Sequence, residues 1–292
     1  MRAPVVSDVG IRHLVVRAEP GCMTTSAPSS PPVSPSVPTA GTFRHAAATV
    51  PPGLALRGVE VSYGRQKVLT GLNLTARPSR VYGLLGLNGA GKSTTFNTAL
   101  GLLRPDAGTI EVLGRPLSRE SLMHVGASIN GPAFYPQLSA RRNLRIHCLL
   151  TGTGPEVIDP LLEQVGLGQA GRKRAGSFST GMKVRLALAM ALLGDPEVLV
   201  LDEPQSGLDP QGIIWLRDLL RELAAGGRTV IVSSHVLGEM ARTCDDVGVL
   251  AGGRMVYEGP LADFAVAGQD LEEAFLAAVT DAADRRGQEA RR

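Results

Sequence analysis

The fold is decided by one stretch of sequence, Gly86-Leu87-Asn88-Gly89-Ala90-Gly91-Lys92-Ser93-Thr94. It fits the pattern G-x-x-x-x-G-K-[ST], whose glycines let backbone N–H groups turn inward around phosphate oxygens. The apolar run 81–85 before it predicts a buried strand, and residues 94–100 predict a helix whose positive dipole end faces the loop. Lys92 is long enough to reach the outer phosphates, and the Ser93 hydroxyl is a suitable magnesium ligand. Because residues, order and context agree, we prefer this interpretation to a glycine-rich turn that binds nothing.

Composition limits the classes of protein to which the chain belongs. Its 292 residues, 43% of them hydrophobic, suffice for one sizeable globular domain with a subdomain. A net charge of +3 and short basic clusters without interleaved aromatic residues do not support a nucleic-acid surface. Cys22, Cys148 and Cys244 lie far apart, which argues against a disulfide framework or a zinc site and fits a reducing cytosol. No apolar run approaches the ~20 residues that cross a bilayer, and residues 5–19 lack the unbroken apolar core of a secretory signal.

The two ends of the chain differ from its middle. Residues 1–52 predict a disordered extension, because the segment 27–38 is rich in proline and serine. Strand patterns begin near Leu54, and we expect the folded domain to span 53–280. A last helix is predicted over 271–280, followed by a charged and frayed tail at 281–292.

A block of helices interrupts the folded domain. Helical patterns at 141–150, 157–165 and 184–193 break an otherwise regular alternation of strands and helices. We therefore expect an α/β core into which a helical subdomain is inserted at about 131–194.

A second motif follows the apolar strand Val198-Leu199-Val200-Leu201, which ends in Asp202 and Glu203. A continuous apolar strand is typical of a parallel sheet covered on both faces, and such sheets bind ligands at the carboxyl ends of their strands. Asp202 would then hold magnesium opposite Ser93. Glu203 would polarise a water molecule beside the γ-phosphate, as a general base. An Asp-Glu pair alone would be interpreted as a solvated loop, and the phosphate loop is what changes that interpretation.

Several further stretches show a family resemblance that covers about residues 54–280. Phe178-Ser179-Thr180-Gly181-Met182 resembles the signature L-S-G-G-Q of the ATP-binding subunits of ABC transporters, and Ser206-Gly207-Leu208-Asp209 resembles their D-loop. His235, after the predicted strand 229–233, resembles their switch histidine, and Tyr63 resembles the aromatic residue that stacks on adenine. Each of these four alone has an ordinary packing or surface interpretation. Together with the phosphate loop they make five motifs in the right order, so coincidence is implausible.

The resemblance implies a P-loop NTPase of ABC type, with a mostly parallel sheet core, an antiparallel β part and the inserted helical subdomain. It implies that residues 86–94 and Tyr63 bind ATP, that Ser93 and Asp202 hold Mg²⁺, and that Glu203 and His235 are catalytic. Ser179 and Gly181 would bind the nucleotide held by a second ATP-binding subunit. The family hydrolyses ATP to drive a separate membrane-spanning permease, which implies a position at the cytoplasmic face of the plasma membrane.

Two departures from the family pattern stand out. The family usually places a glutamine at the end of the strand predicted at 124–129, where this chain has Asn130, with the same amide chemistry on a shorter side chain. We expect Asn130 to take that place near metal and water, with either a shifted loop or slower hydrolysis. In the signature, Phe178, Thr180 and Met182 replace leucine, glycine and glutamine, whereas Ser179 and Gly181 are kept.

Two stretches resemble one group of exporters within this family. Residues 131–136 are similar to the corresponding loop in exporters of the bacitracin and lantibiotic self-protection type, and residues 271–276 resemble the terminal helix of the same drug-export group. This implies export of a drug, a peptide antibiotic or a lipid-like substrate. Two alternatives stay open. One is an ATP-switched ABC protein without transport, although the chain has a single phosphate loop and no heptad run. The other, motivated by Asn130, is a catalytically weak subunit of a heterodimer.

Overall fold

Runs of apolar residues form the strands of the fold, at the places where the sequence predicts the main ones. The computed structural model describes residues 50–131, 133–264 and 270–289, with side chains to 282 in the last range. Its strands are β1 Leu54–Tyr63, β2 Gln66–Ala76, β3 Arg80–Leu85, β4 Ala107–Val112, β5 Arg115–Pro116, β6 Val125–Ser128, β7 Val198–Leu201, β8 Thr229–Ser234, β9 Asp246–Ala251 and β10 Arg254–Pro260. The predicted extension 1–52 lies outside the described residues except for its last three.

The strands form two sheets. One is antiparallel, with the order β2-β1-β4-β5. The other has the order β10-β9-β3-β8-β7-β6 and is parallel in every pair except β9 with β10. The predicted α/β fold, with a mostly parallel core and an antiparallel part, is confirmed. Because β3 lies between β9 and β8, the phosphate loop that follows β3 opens near the middle of the sheet's carboxyl edge.

A carboxylate joins the two sheets. Glu258 Oε1 in β10 accepts a hydrogen bond of 2.5 Å from Thr75 N in β2 and one of 3.0 Å from the Tyr82 hydroxyl in β3. Tyr82 is buried in the core between the sheets, and this burial, with the charge of Glu258, raises the pKa of its hydroxyl well above the usual value. The neutral phenol therefore remains a donor that holds the antiparallel sheet against the parallel one.

The helices pack on the strands and between them. They are α1 Lys92–Ala99, α2 Arg119–Leu122, α3 Ala140–Thr151, α4 Ile158–Gln164, α5 Thr180–Leu192, α6 Pro210–Ala225, α7 Leu237–Thr243, α8 Leu261–Phe264 and α9 Leu271–Glu289. The short elements β5, α2 and α8 have no prediction from the sequence, because each is too short for a hydrophobic period to show.

The inserted helical subdomain consists of α3, α4 and α5, which lie between β6 and β7. Its apolar faces are fully buried at Leu144, Leu162 and Leu186, so the subdomain shares the core of the sheet. The helix α5 begins at Thr180, four residues before the predicted start. Ser179 caps it, because its Oγ accepts a hydrogen bond of 3.3 Å from Met182 N. The first turn of this helix contains one large apolar residue, Met182, among Thr180, Gly181 and Lys183, so the apolar pattern alone begins later.

The terminal helix is longer than the sequence predicts. It begins at Leu271, as predicted, but continues through the segment 281–289 to Glu289 instead of ending at 280. Alanine, arginine, glutamine and glutamate predominate in this segment and favour the helix locally.

The helix α5 lies so close to β6 that position 126 has no room for a side chain. A Cβ on Gly126 would lie 1.9 Å from the Ala191 carbonyl oxygen and 2.8 Å from Pro196 Cγ. Gly126 pairs with Leu199 of β7, so a shift here would also disturb the strand that carries Asp202. The glycine thus sets how closely the helical subdomain approaches the sheet.

We therefore expect Gly126→Ala to lower the free energy of unfolding by about 2–3 kcal/mol, because a backbone oxygen must move. Urea denaturation of the full chain measures this change. The control is Gly238→Ala in α7, where a Cβ would meet nothing within 4 Å, and where alanine should raise stability by about 0.5 kcal/mol. Equal midpoints for Gly126→Ala and the parent chain would contradict the argument.

Candidate nucleotide site

The phosphate loop ends where α1 begins. Gly91 precedes the helix with a φ of 111°, in the left-handed region that glycine favours. Thr95 donates to the Gly91 carbonyl oxygen twice, from its backbone N at 2.8 Å and from Oγ1 at 2.9 Å. The loop is therefore fixed to the first turn of the helix, whose positive dipole end lies beside it.

Lys92 lies inside the loop. Its side chain is 7% exposed, and its Nζ donates to the carbonyl oxygens of Gly86 at 2.6 Å and Leu87 at 3.4 Å. Burial lowers the pKa of Lys92, while the carboxylates of Glu203 and Asp202 act in the opposite direction. The hydrogen-bond partners of the ammonium group are neutral carbonyl oxygens, and a bound phosphate group would supply a negative charge beside it.

Asp202 lies opposite Ser93, as the sequence predicts. Ser93 Oγ donates to Asp202 Oδ2 at 3.0 Å, and Ser233 Oγ donates to Asp202 Oδ1 at 2.5 Å. The carboxylate is thus held between the start of α1 and the end of β8. Its two oxygens therefore face two different elements at the same sheet edge, the helix α1 and the strand β8.

Glu203 and His235 are in contact. Glu203 Oε1 lies 3.0 Å from His235 Nδ1, and Glu203 Oε2 accepts a hydrogen bond of 3.3 Å from Ser206 Oγ. The backbone N of Glu203 donates to Ser233 Oγ at 2.9 Å. One hydroxyl, that of Ser233, therefore holds both the carboxylate of Asp202 and the backbone of Glu203. This side chain was absent from the sequence prediction.

Two adjoining clefts open at this edge. A cleft of ≈ 310 Å³ is lined by the phosphate loop, Lys92 and the half-exposed Tyr63 at the end of β1. A second, of ≈ 360 Å³, is lined by Asn130 and Asp202. Ser93 and Glu203 line both. The structure thus brings together the predicted residues of the phosphate loop with Tyr63, Asn130, Asp202 and Glu203, and His235 touches the last of these.

The backbone at Asn130 explains the residue found there. Asn130 has a φ of 56° and is followed by Gly131 with a φ of 87°. Asparagine is enriched in this left-handed region, whereas longer side chains adopt it less readily. The sequence motif locates the position, but its backbone conformation is visible only in the structure.

The signature is not part of the same clefts. Neither cleft is lined by Ser179 or Gly181. They lie instead beside the D-loop, because a Cβ on Gly181 would be 3.5 Å from Leu208 Cδ2. Asp209 ends the D-loop by capping α6, its Oδ1 accepting from Gly212 N at 2.8 Å. Within one chain, therefore, the signature and the phosphate loop do not form a common site.

Three polar residues near the site were missed by sequence reasoning: Ser233, Ser234 and Gln205. Ser233 and Ser234 are fully buried at the end of β8. A signal for them does exist, since two serines end an otherwise apolar strand at the edge where ligands bind. Gln205 carries no such signal, because it lies in a loop and its partner, Ser234, lies at the end of β8.

Comparisons with known proteins place the chain in a family. Residues 69–206 match the ABC transporter family. A bacitracin transport ATP-binding protein of Bacillus licheniformis is 43% identical over 203 residues, which are 68% of this chain and 66% of the relative. A lantibiotic transport ATP-binding protein of Streptococcus pyogenes is 38% identical over 205 residues, which are 70% of this chain and 90% of the relative. The chain is an ABC transporter ATP-binding protein.

The fold of this ABC ATP-binding protein agrees with that assignment. A solved ATP-binding subunit of an ABC transporter matches 77% of the chain and 98% of its own length, with a TM-score of 0.71 and 29% identity. Family membership makes the chain a nucleotide-binding ATPase of the kind that is coupled to transport. Among the described residues, no helix combines the length and apolar character needed to cross a bilayer.

The hydroxyl of Ser233, which bonds to both Asp202 and Glu203, can be tested by mutation in this ABC ATPase. Ser233→Ala should lower kcat for ATP hydrolysis by about tenfold, because Asp202 and Glu203 each lose a bond that orients them. Phosphate release at saturating ATP measures it. Ser139→Ala is the control, since it removes the N-cap bond of α3 to Arg142 N, remote from the carboxylates, at a stability loss of about 1 kcal/mol. Equal losses of kcat in both variants would point to general destabilisation instead.

Proposed function

We propose that this protein is the ATP-hydrolysing subunit of an exporter, in which two ATP-binding subunits close on two Mg–ATP and drive a separate membrane-spanning permease. One observation carries the proposal. The carboxylate pair Asp202 and Glu203 lies at the mouth of the phosphate loop, with Ser93 Oγ 3.0 Å from Asp202 Oδ2 and His235 Nδ1 3.0 Å from Glu203 Oε1. These two contacts support a metal-binding role for Ser93 and Asp202, and an acid–base role for Glu203 and His235 beside them.

ATP binding is assigned to the loop cleft. The backbone N–H groups of residues 86–94 surround the phosphates, and Lys92 exchanges its carbonyl partners for phosphate oxygens. Tyr63, 53% exposed at the rim of the same cleft, offers its ring face to the adenine base. A stacked base and bound phosphates would together span the cleft from β1 to α1.

The residues present fit Mg²⁺. A serine hydroxyl and a carboxylate are hard oxygen ligands of the kind Mg²⁺ takes together with substrate phosphates, and Ser93 and Asp202 already face each other. When bound, the ion would neutralise charge on the outer phosphates. Ser233 would keep Asp202 oriented toward it through the bond to Oδ1.

Hydrolysis is assigned to Glu203 and His235. Glu203 accepts the proton of a water molecule that attacks the γ-phosphate, and His235 donates a hydrogen bond to a γ-phosphate oxygen. In the structure His235 is bonded to Glu203 instead, so it must turn from the carboxylate to the phosphate as nucleotide binds. Asn130, which lines the second cleft together with Asp202 and Glu203, contributes its amide to the bound water and metal.

A second subunit completes the site. Since Ser179 and Gly181 lie at the N-terminus of α5 and away from their own phosphate loop, they are free to bind the phosphates held by a facing subunit. The D-loop, 206–209, lies beside them and would share that interface. The permease, which carries the specificity for the transported molecule, would hold the pair at the cytoplasmic face of the membrane.

Export is proposed from the kind of relatives that the chain resembles. The two curated relatives are named for bacitracin and lantibiotic transport. The transported molecule would accordingly be a drug, a peptide antibiotic or a lipid-like compound. Purification of the full chain from membranes tests the partner: a co-purifying polytopic membrane protein is expected, and ribosomes or DNA in its place would contradict the proposal.

The catalytic assignment predicts that Glu203→Gln traps ATP. The amide keeps the shape of the side chain but accepts protons poorly, so phosphate release should fall by about 10²-fold or more. The dimer should then persist in the presence of Mg–ATP, as measured by size-exclusion chromatography. Glu222→Gln, on the exposed face of α6, is the matched control and should behave as the parent chain does. Unchanged phosphate release from Glu203→Gln would exclude Glu203 as the base.

Substitutions of Asn130 test whether this chain is an active subunit or the catalytically weak subunit of a heterodimer. Because the backbone at 130 is left-handed, Asn130→Gln should not raise kcat and should lower the free energy of unfolding by up to about 1 kcal/mol. Asn130→Ala should lower kcat, since it removes the amide. Phosphate release by the purified chain measures both. A faster Asn130→Gln would instead support the weak subunit of a heterodimer.

A further inference from the structure

The segment after Glu203 is folded into two successive turns. Ser206 N donates to the Glu203 carbonyl oxygen at 3.0 Å, and Leu208 N donates to the Gln205 carbonyl oxygen at 3.1 Å. The segment is therefore a stiff link from the catalytic carboxylate to the start of α6. Its two sides touch different parts of the site.

One side of this link lies against the signature. A Cβ on Gly207 would be 2.7 Å from Thr180 Cγ2, so the threonine methyl group fills the space beside the glycine. Thr180 is the residue that replaces a glycine of the family signature. A movement of the start of α5 would thus press directly on Gly207.

The other side reaches the end of β8. Gln205 Nε2 donates a hydrogen bond to Ser234 Oγ. The same Oγ accepts from Val236 N at 2.9 Å and so closes the turn that carries His235. Through a single hydroxyl, Gln205 is connected to the backbone on both sides of the histidine.

We propose that Gln205 is a positioning residue for ATP hydrolysis, which holds the His235 turn in register with Glu203 and passes movements of the signature on to it. The role rests on the proposed function of His235 and Glu203. Gln205 lines neither nucleotide cleft, so it acts through Ser234 and does not touch the nucleotide. Ser233, by contrast, bonds directly to the carboxylate of Asp202 and the backbone N of Glu203.

The geometry gives the direction of the effect. His235 must leave Glu203 to reach a phosphate oxygen, and its turn is anchored to the link 205–208 at Ser234 alone among the side-chain bonds of the described residues. When Thr180 displaces Gly207, the amide of Gln205 carries the displacement to Ser234. Without that amide, the signature and the histidine would move independently.

The first test is Gln205→Met in the full chain, which keeps an unbranched side chain but removes the amide. Because one hydrogen bond is lost, kcat should fall by about two- to tenfold, while KM for ATP stays the same, since residues 86–94 and Tyr63 are untouched. Gln164→Met, at the exposed end of α4, is the matched control and should leave both constants unchanged. A higher KM with unchanged kcat, or no change in either, would overturn the proposal.

The second test is a double-mutant cycle with Ser234→Ala. If Gln205 acts through Ser234, the double variant should have the same kcat as Ser234→Ala alone, whereas additive losses would overturn the proposal. Measurements on the parent chain and on Glu203→Gln distinguish a failure of the proposed function from a failure of the role of Gln205. If the parent chain hydrolyses ATP and Glu203→Gln does not, the proposed function is upheld. An unchanged kcat for Gln205→Met would then overturn only the role of Gln205. A parent that does not hydrolyse ATP would overturn both.

Discussion

The site depends on one constraint, the parallel pairing of β8 with β3 on one side and β7 on the other. In this register Leu85 pairs with Ser234, and Leu201 pairs with Val232. The phosphate loop, Asp202 and His235 therefore leave the sheet at the same edge, although they are far apart in sequence. The side chain of Ser233 then joins the neighbouring strand ends by hydrogen bonds, which fixes the distances between the groups. Without this register, each motif would still be present in the sequence but no common site would form.

Local motifs were predictable because their chemistry is local. The phosphate loop follows its strand and opens its helix within nine residues, and the pair Asp202-Glu203 follows a run of apolar residues. The main strands and the inserted helices were predictable for the same reason, since hydrophobic periodicity acts within one element. Helices of about one turn, such as α2, were missed because a single turn shows no repeat. The apolar pattern places the start of α5 at 184, four residues late, because a side-chain cap at Ser179 begins that helix.

Contacts between elements were not predictable. The bonds made by Ser233, Ser234 and Gln205 join positions about thirty residues apart, and their partners are set by strand order, which a single sequence does not reveal. The left-handed backbone at Asn130 is another such case. In the sequence, Asn130 stands out only as a residue with a shorter side chain than glutamine. In the fold, it is a residue whose backbone readily adopts the left-handed conformation of the turn. The substitution is thus first a matter of backbone conformation, and its effect on the chemistry follows from that.

The buried position of Lys92 has a consequence for the thermodynamics of binding. Its bonds to the carbonyl oxygens of Gly86 and Leu87 close the loop around an internal cation. The conformational entropy of the loop is therefore lost when the chain folds, before any nucleotide arrives, and the flexible lysine chain is already confined. Nucleotide binding then exchanges hydrogen-bond acceptors at a rigid receptor, so more of the interaction energy with the phosphates is retained as affinity.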